Sequence, residues 1–190
     1  MPHMPTDFDY LIQPGWNDSP AGHWQSHWQQ QLGARRPQPA SWQLPQLDDW
    51  VDALRAELAA CRRPAIVVAH SLGCVALAHY SARFGGAGVA AALLVAPADV
   101  ERAGAPAPLL DFAPLPNSRL PFPARVVASD DDPFCRIERA QMLADAWGAP
   151  LSVLPGAGHI NAASGHARWD EGFAELAILK EGVQVPTCAA

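Results

Sequence analysis

The chain has 190 residues and a mass of 20.3 kDa; 49% of its residues are hydrophobic and 17% are charged. This composition predicts a single folded domain over residues 1–190 and excludes disorder as the dominant state. The formal net charge of −6 argues against nucleic acid or an anionic membrane as the main partner. The sequence contains neither an apolar run of roughly 18 residues nor a secretory signal pattern in its first twenty residues, so we expect a cytoplasmic protein.

Strands are predicted where short apolar runs show the near-continuous hydrophobicity of strands covered on both faces. These runs are Phe8–Gln13, Ala65–His70, Ala90–Ala96, Ala124–Ser129 and Leu151–Leu154. A sixth, weaker candidate lies at Ser41–Leu44. Together they predict a mostly parallel sheet of about six strands.

Helices are predicted between these runs, where apolar residues recur at intervals of three and four. The apolar stripes are Trp24–Leu32, Leu47–Cys61, Ile137–Trp147 and Trp169–Leu176, and residues 72–84 are apolar nearly all round. The alternation of strands and helices predicts an α/β fold, a three-layer α/β/α sandwich with helices on both faces of the sheet. Functional residues are then expected beyond the carboxyl ends of the strands.

The second predicted strand runs through Ala69-His70-Ser71-Leu72-Gly73 directly into the apolar helix. This segment resembles the G-x-S-x-G nucleophile elbow, with alanine in the first glycine position. A sharp strand-to-helix turn needs small residues on either side of the nucleophile, and Ala69 and Gly73 meet that need. The alternative is that Ser71 only caps the helix.

Two later strand ends supply an acid and a histidine. Asp130-Asp131-Asp132-Pro133 follows the fourth strand, and Pro155-Gly156-Ala157-Gly158-His159 follows the fifth. The chain order serine, acid, histidine is the order of α/β-hydrolases and differs from that of other serine hydrolase folds. Three separate strand ends that deliver the three groups in this order point to nucleophilic catalysis.

The sequence therefore resembles the small, single-domain serine hydrolases of the α/β-hydrolase superfamily typified by retinoblastoma-binding protein 9. The matching stretches are residues 14–19 (PGWNDS), 23–28 (HWQSHW), 69–73 (AHSLG), 131–134 (DDPF) and 156–159 (GAGH). The resemblance implies Ser71 as nucleophile, His159 as general base and acid, and Asp132, directly before the proline, as the orienting carboxylate. Asp130 and Asp131 remain alternatives for the acid.

Oxyanion donors and a substrate wall complete the expected site. The backbone N–H of Leu72 follows the nucleophile, and the N–H of Trp16 follows the turn after the first strand. Phe112, Phe122 and Phe134, together with Trp16, are candidates for an apolar wall. The segment 97–123 holds seven prolines without clear periodicity, and we expect it to contribute to that wall.

Other polar residues have simpler interpretations. His23 and His27 have the i, i+4 spacing of metal ligands but no third ligand nearby, so no metal or cofactor is expected. His70 and His166 are weaker alternatives for the base. The cysteines form no C-x-x-C pair, and we interpret them as reduced thiols that are mostly buried. They are Cys61, Cys74, Cys135 and Cys188.

The sequence thus predicts an esterase-like serine hydrolase that cleaves a small or medium acyl ester, amide or thioester through an acyl-enzyme. The alternative is a non-catalytic protein-interaction module on the same scaffold. Perhydrolysis by the same triad is a third reading that the sequence does not separate from the first. A small acyl compound is the expected partner, and a protein partner stays open.

Overall fold

The computed structural model describes residues 7–183, which form a five-stranded, wholly parallel sheet between two layers of helices. The strands lie side by side in chain order. They are β1 (Asp9–Gln13), β2 (Ala65–His70), β3 (Val89–Val95), β4 (Ala124–Ser129) and β5 (Leu151–Leu154). The helices are α1 (Trp24–Leu32), α2 (Leu47–Ala59), α3 (Leu72–Phe84), α4 (Ile137–Trp147) and α5 (Gly172–Glu181).

The two faces of the sheet bury separate hydrophobic clusters, because alternate strand residues point to opposite faces. In β2, Val67 packs into one cluster with α2, α3 and α4, while Val68 packs into the other with α1 and α5. The β2 strand is buried throughout and α3 is buried over residues 72–81, as the apolar sequence of both elements predicts. The three-layer α/β/α architecture is confirmed.

The sheet has five strands where the sequence predicted about six. Ser41–Leu44 is irregular, although the chain does return to the outer side of β1 just before it. There Arg35 makes a single parallel bridge to Leu11. Pro37 and Pro39 follow at once, and since proline has no N–H to donate, the ladder does not extend into a strand.

Cysteines Cys61, Cys74 and Cys135 are free thiols, and Cys188 lies outside the described residues. Burial raises the pKa of the Cys135 thiol to about 12, and burial also raises the pKa of Cys74. Both thiols are therefore held in the unreactive protonated form. Within residues 7–183 no helix has the length and apolar character required to cross a bilayer.

An aromatic cluster fixes α1 against the sheet. Trp24 and Trp28 are fully buried, and Trp28 stacks on Phe173 of α5 at 4.1 Å between ring centroids. The Trp24 Nε1–H donates to the carbonyl oxygen of Ile160 at 2.8 Å. The Trp28 Nε1–H is buried and finds no acceptor among the described residues.

These two tryptophans provide a matched test of that hydrogen bond. Trp24→Phe leaves the Ile160 carbonyl without its donor, whereas Trp28→Phe removes an N–H that has no partner. We expect Trp24→Phe to lower the free energy of unfolding by about 1–3 kcal/mol more than Trp28→Phe does. Urea unfolding followed by far-UV circular dichroism measures the difference. Equal losses would show that only ring packing matters at both positions.

Candidate active site

Ser71 occupies the turn between β2 and α3 in a backbone conformation that few non-glycine residues adopt, with φ 56° and ψ −122°. It is the N-cap residue of α3, yet its side chain makes no capping hydrogen bond. The hydroxyl instead lies 2.9 Å from Nε2 of His159. The helix-cap alternative for Ser71 therefore does not describe what its hydroxyl does.

The sharp turn at Ser71 depends on two glycines, at the point where the start of α3 touches the end of β1. A Cβ on Gly73 would lie 2.4 Å from the carbonyl oxygen of Gln13 and 2.5 Å from that of Pro14, so no side chain fits. A Cβ on Gly15 would lie 2.8 Å from the Ser71 Cβ. Ala69, in the position where glycine is more common, is fully buried in the core cluster that includes α3.

The turn after β1 brings Trp16 beside the nucleophile. Gly15 lies against Ser71, and a Cβ on it would approach the Leu72 nitrogen to 3.4 Å. Leu72 is the first residue of α3, and N–H groups in the first turn of a helix have no acceptor within that helix. The two N–H groups predicted as oxyanion donors, those of Leu72 and Trp16, thus belong to neighbouring segments at one rim.

His159 lies between Ser71 and Asp132. Its Nδ1 is 2.8 Å from Oδ2 and 3.0 Å from Oδ1 of Asp132. The Asp132 side chain is 1% exposed, and its Oδ1 also accepts the N–H of Phe134 at 2.8 Å. A carboxylate only accepts hydrogen bonds, so the proton sits on Nδ1 and the Nε2 lone pair faces the Ser71 hydroxyl.

The other two aspartates hold the loop that carries His159. Asp130 accepts the Gly156 N–H at 2.8 Å, and Asp131 accepts the Gly158 N–H at 2.7 Å. The Ser129 hydroxyl donates to Asp131 and accepts the intervening N–H of Ala157. Asp132 is therefore the aspartate that contacts His159, while its two predecessors bind loop backbone.

His70 and His23 pack beneath the base. The Nε2–H of His70 donates to the carbonyl oxygen of His159 at 2.9 Å. Burial lowers the pKa of His70 well below its usual value, and burial, followed by the charge of Arg36, lowers the pKa of His23 to about 4. Both rings are neutral at neutral pH, so neither competes with His159 for a proton there.

The other histidine considered as a base, His166, binds a different partner. Its Nδ1 is 3.3 Å from the Ser164 hydroxyl, on the loop after His159. Nδ1 of His23, one of the two candidate metal ligands, accepts the Gln25 N–H at the start of α1. Within residues 7–183 no group of three or more His, Cys, Asp or Glu side chains is arranged to hold a metal ion.

Two cavities flank the Ser71–His159 pair. One, here called the Arg102 cavity, has a volume of about 260 Å³ and extends to Arg102, Leu109 and Phe134. The other, of about 310 Å³, extends to Pro20, His23 and Ala163. Both are lined by Trp16, Asn17 and Asn161 as well as by the pair itself. The Ser71–His159 pair thus borders open space on two sides.

One of the three phenylalanines predicted for the wall lines this space. Phe134 is 41% exposed, and its ring meets that of His159 edge-on at 4.6 Å. Phe112 is instead fully buried, edge-on against Trp50 of α2. Phe122 lies before the amino end of β4, where it borders a separate hollow of about 750 Å³. The prediction that Phe112 and Phe122 line the site is therefore wrong. Phe112 is a core residue, and Phe122 lies at the opposite edge of the sheet.

Sequence reasoning missed three polar residues of the Arg102 cavity. Asp99 and Arg102 follow the carboxyl end of β3, and Asn161 lies two residues after His159. The position of Asp99 and Arg102 just after a strand end could have marked them as site residues. The segment 97–123 was instead expected at the wall only as a whole. No sequence pattern marks Asn161.

The architecture and the site together define an α/β-hydrolase. The sequence model of a family described as serine hydrolase matches residues 10–178, and the chain belongs to that serine hydrolase family. A putative YdeN-like hydrolase from Pectobacterium atrosepticum is 36% identical, with a TM-score of 0.81 over 92% of this chain and 91% of the other.

More distant structures share the fold. The ydeN gene product of B. subtilis is 21% identical, with a TM-score of 0.74 over 92% of this chain and 99% of the other. A thermophilic esterase from Thermogutta terrifontis is 15% identical, with a TM-score of 0.63 over 93% of this chain and 91% of the other. No curated protein matches the sequence at a significant level.

The loop contacts of Asp131 predict an acid-dependent stability. The hydrogen bond from Ser129 and then that from Gly158 hold the pKa of Asp131 below its usual 3.8. A lowered folded-state pKa contributes stability above the usual value, and that contribution is lost as the pH falls through the folded pKa. We expect the stability difference between wild type and Asp131→Ala to shrink as the pH falls from about 5 to below 3.

Urea unfolding at a series of pH values measures this difference. Exposed Asp52→Ala, on α2, serves as the matched control and should show no such dependence. A difference that stays constant with pH would contradict the role of the Asp131 charge.

Proposed function

We propose that the protein is an esterase-like serine hydrolase that cleaves the ester, thioester or amide bond of a small or medium acyl compound. The observation that carries the proposal is the unbroken succession of hydrogen bonds from the Ser71 hydroxyl through His159 to Asp132. That succession opens onto cavities on both sides of the serine. Membership of the serine hydrolase family supports the same chemistry.

Acylation begins when Ser71 Oγ attacks the carbonyl carbon and its proton passes to Nε2 of His159. Asp132 stabilises the imidazolium that forms and keeps the ring in the required tautomer. The tetrahedral intermediate collapses when Nε2 returns the proton to the leaving oxygen, nitrogen or sulfur. The products of this step are the free alcohol, amine or thiol and an acyl group esterified to Ser71.

Deacylation repeats these proton transfers with water. His159 takes a proton from a water molecule as its oxygen attacks the acyl carbonyl, and then gives that proton to Ser71 Oγ. The carboxylic acid leaves and the free serine is regenerated. Each step uses only groups of the chain and water.

The negative oxygen of each intermediate requires preorganised donors. We assign that task to the backbone N–H groups of Leu72 and Trp16, which belong to the two segments that meet at Gly15 and Ser71. The start of α3 adds its positive helix-dipole end at the same point. Loss of one such donor typically costs about 100- to 1,000-fold in rate.

A fluorophosphonate probe tests the nucleophile directly. We expect the wild-type protein to be labelled and Ser71→Ala to be unlabelled, because the probe forms a bond to an activated serine oxygen. The exposed Ser118→Ala is the matched control and should label like wild type. In-gel fluorescence and peptide mapping give the readout. Label retained in Ser71→Ala would identify another nucleophile, and an unlabelled wild type would favour the interaction module.

The acid is tested by comparing two neighbouring aspartates. Asp132→Asn places an amide opposite Nδ1 and stabilises the wrong tautomer of His159, so kcat should fall by about 10⁴-fold with little change in KM. Asp130→Asn retains an acceptor oxygen for Gly156 and should change kcat by less than about tenfold. Steady-state kinetics on a p-nitrophenyl acetate substrate measures both. A loss confined to Asp130→Asn would reassign the acid.

A further inference from the structure

The Arg102 cavity places one arginine in the same small space as Ser71 and His159. Ser71 and His159 line one part of its roughly 260 Å³, and Arg102 lines another. The rest of the wall combines apolar residues, among them Leu109 and Phe134, with the polar residues Asn17, Asp99 and Asn161. A substrate that fills this cavity from Ser71 therefore reaches Arg102.

Arg102 has no anionic partner within the described part of the chain, where the ion pairs within 4.0 Å involve other arginines or His159. Its Nη1 is buried and has no hydrogen-bond partner there. The two nearest acids in sequence pair with another arginine: Asp99 Oδ1 lies 3.4 Å from Nε of Arg139, and Glu101 binds Nη2 of the same residue. Both acids therefore lie within ion-pair distance of Arg139, and no ion pair joins either of them to Arg102.

The position of the Arg102 side chain is set by Phe134. The guanidinium carbon lies 5.5 Å from the centroid of the Phe134 ring, within the range of a cation–π contact. The same ring contacts His159, and the Phe134 carbonyl oxygen accepts the Asp99 N–H at 3.1 Å. The loop after β3 and the loop after β4 therefore hold Arg102 at a defined place beside the base.

We propose that Arg102 is a specificity-determining residue that binds a carboxylate of the substrate, so that the preferred substrates are esters or thioesters carrying a second, anionic end. This inference rests on the proposed function, and it names the substrate class of the same site. A guanidinium matches the two oxygens of a carboxylate with parallel N–H donors. Asp99 lines the same cavity but lies 3.4 Å from Nε of Arg139, so Arg102 is the cation of this cavity without an ion-pair partner in residues 7–183.

Matched esters test the proposal by hydrolysis. Monomethyl adipate carries the carboxylate on the acyl side, and dimethyl adipate is its neutral counterpart. 4-Acetoxybutanoate carries the carboxylate on the alcohol side of its acetyl ester, and its methyl ester is the neutral counterpart. We expect wild type to prefer the anionic member of at least one pair, and the ratio of kcat/KM, anionic over neutral, to fall by about 10- to 100-fold in Arg102→Gln.

Two variants serve as controls for this ratio. Arg102→Lys keeps the charge and should recover part of the preference. Arg62→Gln removes an exposed charge at the amino end of β2, away from the site, and should leave the ratio as in wild type. A wild type without preference for either anionic ester, or an equal loss of both members in Arg102→Gln, would overturn the proposal.

Binding without turnover separates this inference from the proposed function. In a Ser71→Ala background, calorimetry should show tighter binding of the preferred anionic ester than of its neutral counterpart, and Arg102→Gln should abolish the difference. If wild type is neither labelled nor active while this difference persists, the proposed hydrolysis fails and the carboxylate site stands. If labelling succeeds but no binding difference is found, the carboxylate site fails and the hydrolase stands.

Discussion

The start of α3 packs against the end of β1 with no space for a side chain at Gly73, whose Cβ position falls on the carbonyl oxygens of Gln13 and Pro14. This contact fixes the helix relative to the sheet. Because α3 begins directly after Ser71, it also fixes the serine beside the turn that follows β1. The positive φ of Ser71 is tolerated because the buried strand β2 before it and the buried helix α3 after it hold the turn in place.

His159 is positioned by a different part of the structure. Its loop is held from β4 through Ser129 and Asp131, and from α1 through the Trp24 bond to the carbonyl next to His159. His70 adds a bond to the His159 carbonyl itself. As a neutral donor, His70 supports the loop without placing a positive charge beside the His159 ring.

Much of this arrangement is predictable from sequence because apolar content and breakers act locally. The predicted bounds of β2, β4 and β5 agree with the structure, since each run is continuous and sharply ended. The prediction of a strand at Ser41–Leu44 was wrong because its short apolar pattern does not show how the prolines before it stop the chain from pairing with β1. Phe112 was misplaced for a similar reason: an irregular loop carries no periodicity to tell a core-facing ring from a site-facing one.

The choice among three consecutive aspartates shows the limit more sharply. All three follow the same strand and are the same residue type, but each contacts a different group of the loop that carries His159. The family resemblance selected Asp132 by its proline, and the structure shows that this carboxylate contacts His159 while Asp130 and Asp131 bind N–H groups. Contacts between distant loops are what sequence periodicity does not encode.

The segment that carries Arg102 is separate from those that hold Ser71, His159 and Asp132. Its contacts with those segments include backbone bonds, from the Ala98 N–H to the Ser71 carbonyl and from the Asp99 N–H to the Phe134 carbonyl. Side-chain substitutions after β3 can therefore alter the shape and charge of the cavity without removing these bonds. Related enzymes could diversify in what they accept by changing one proline-rich connection, with the chemistry inherited intact. With Arg102 in the role proposed above, selectivity and reactivity become traits that evolution can adjust one at a time.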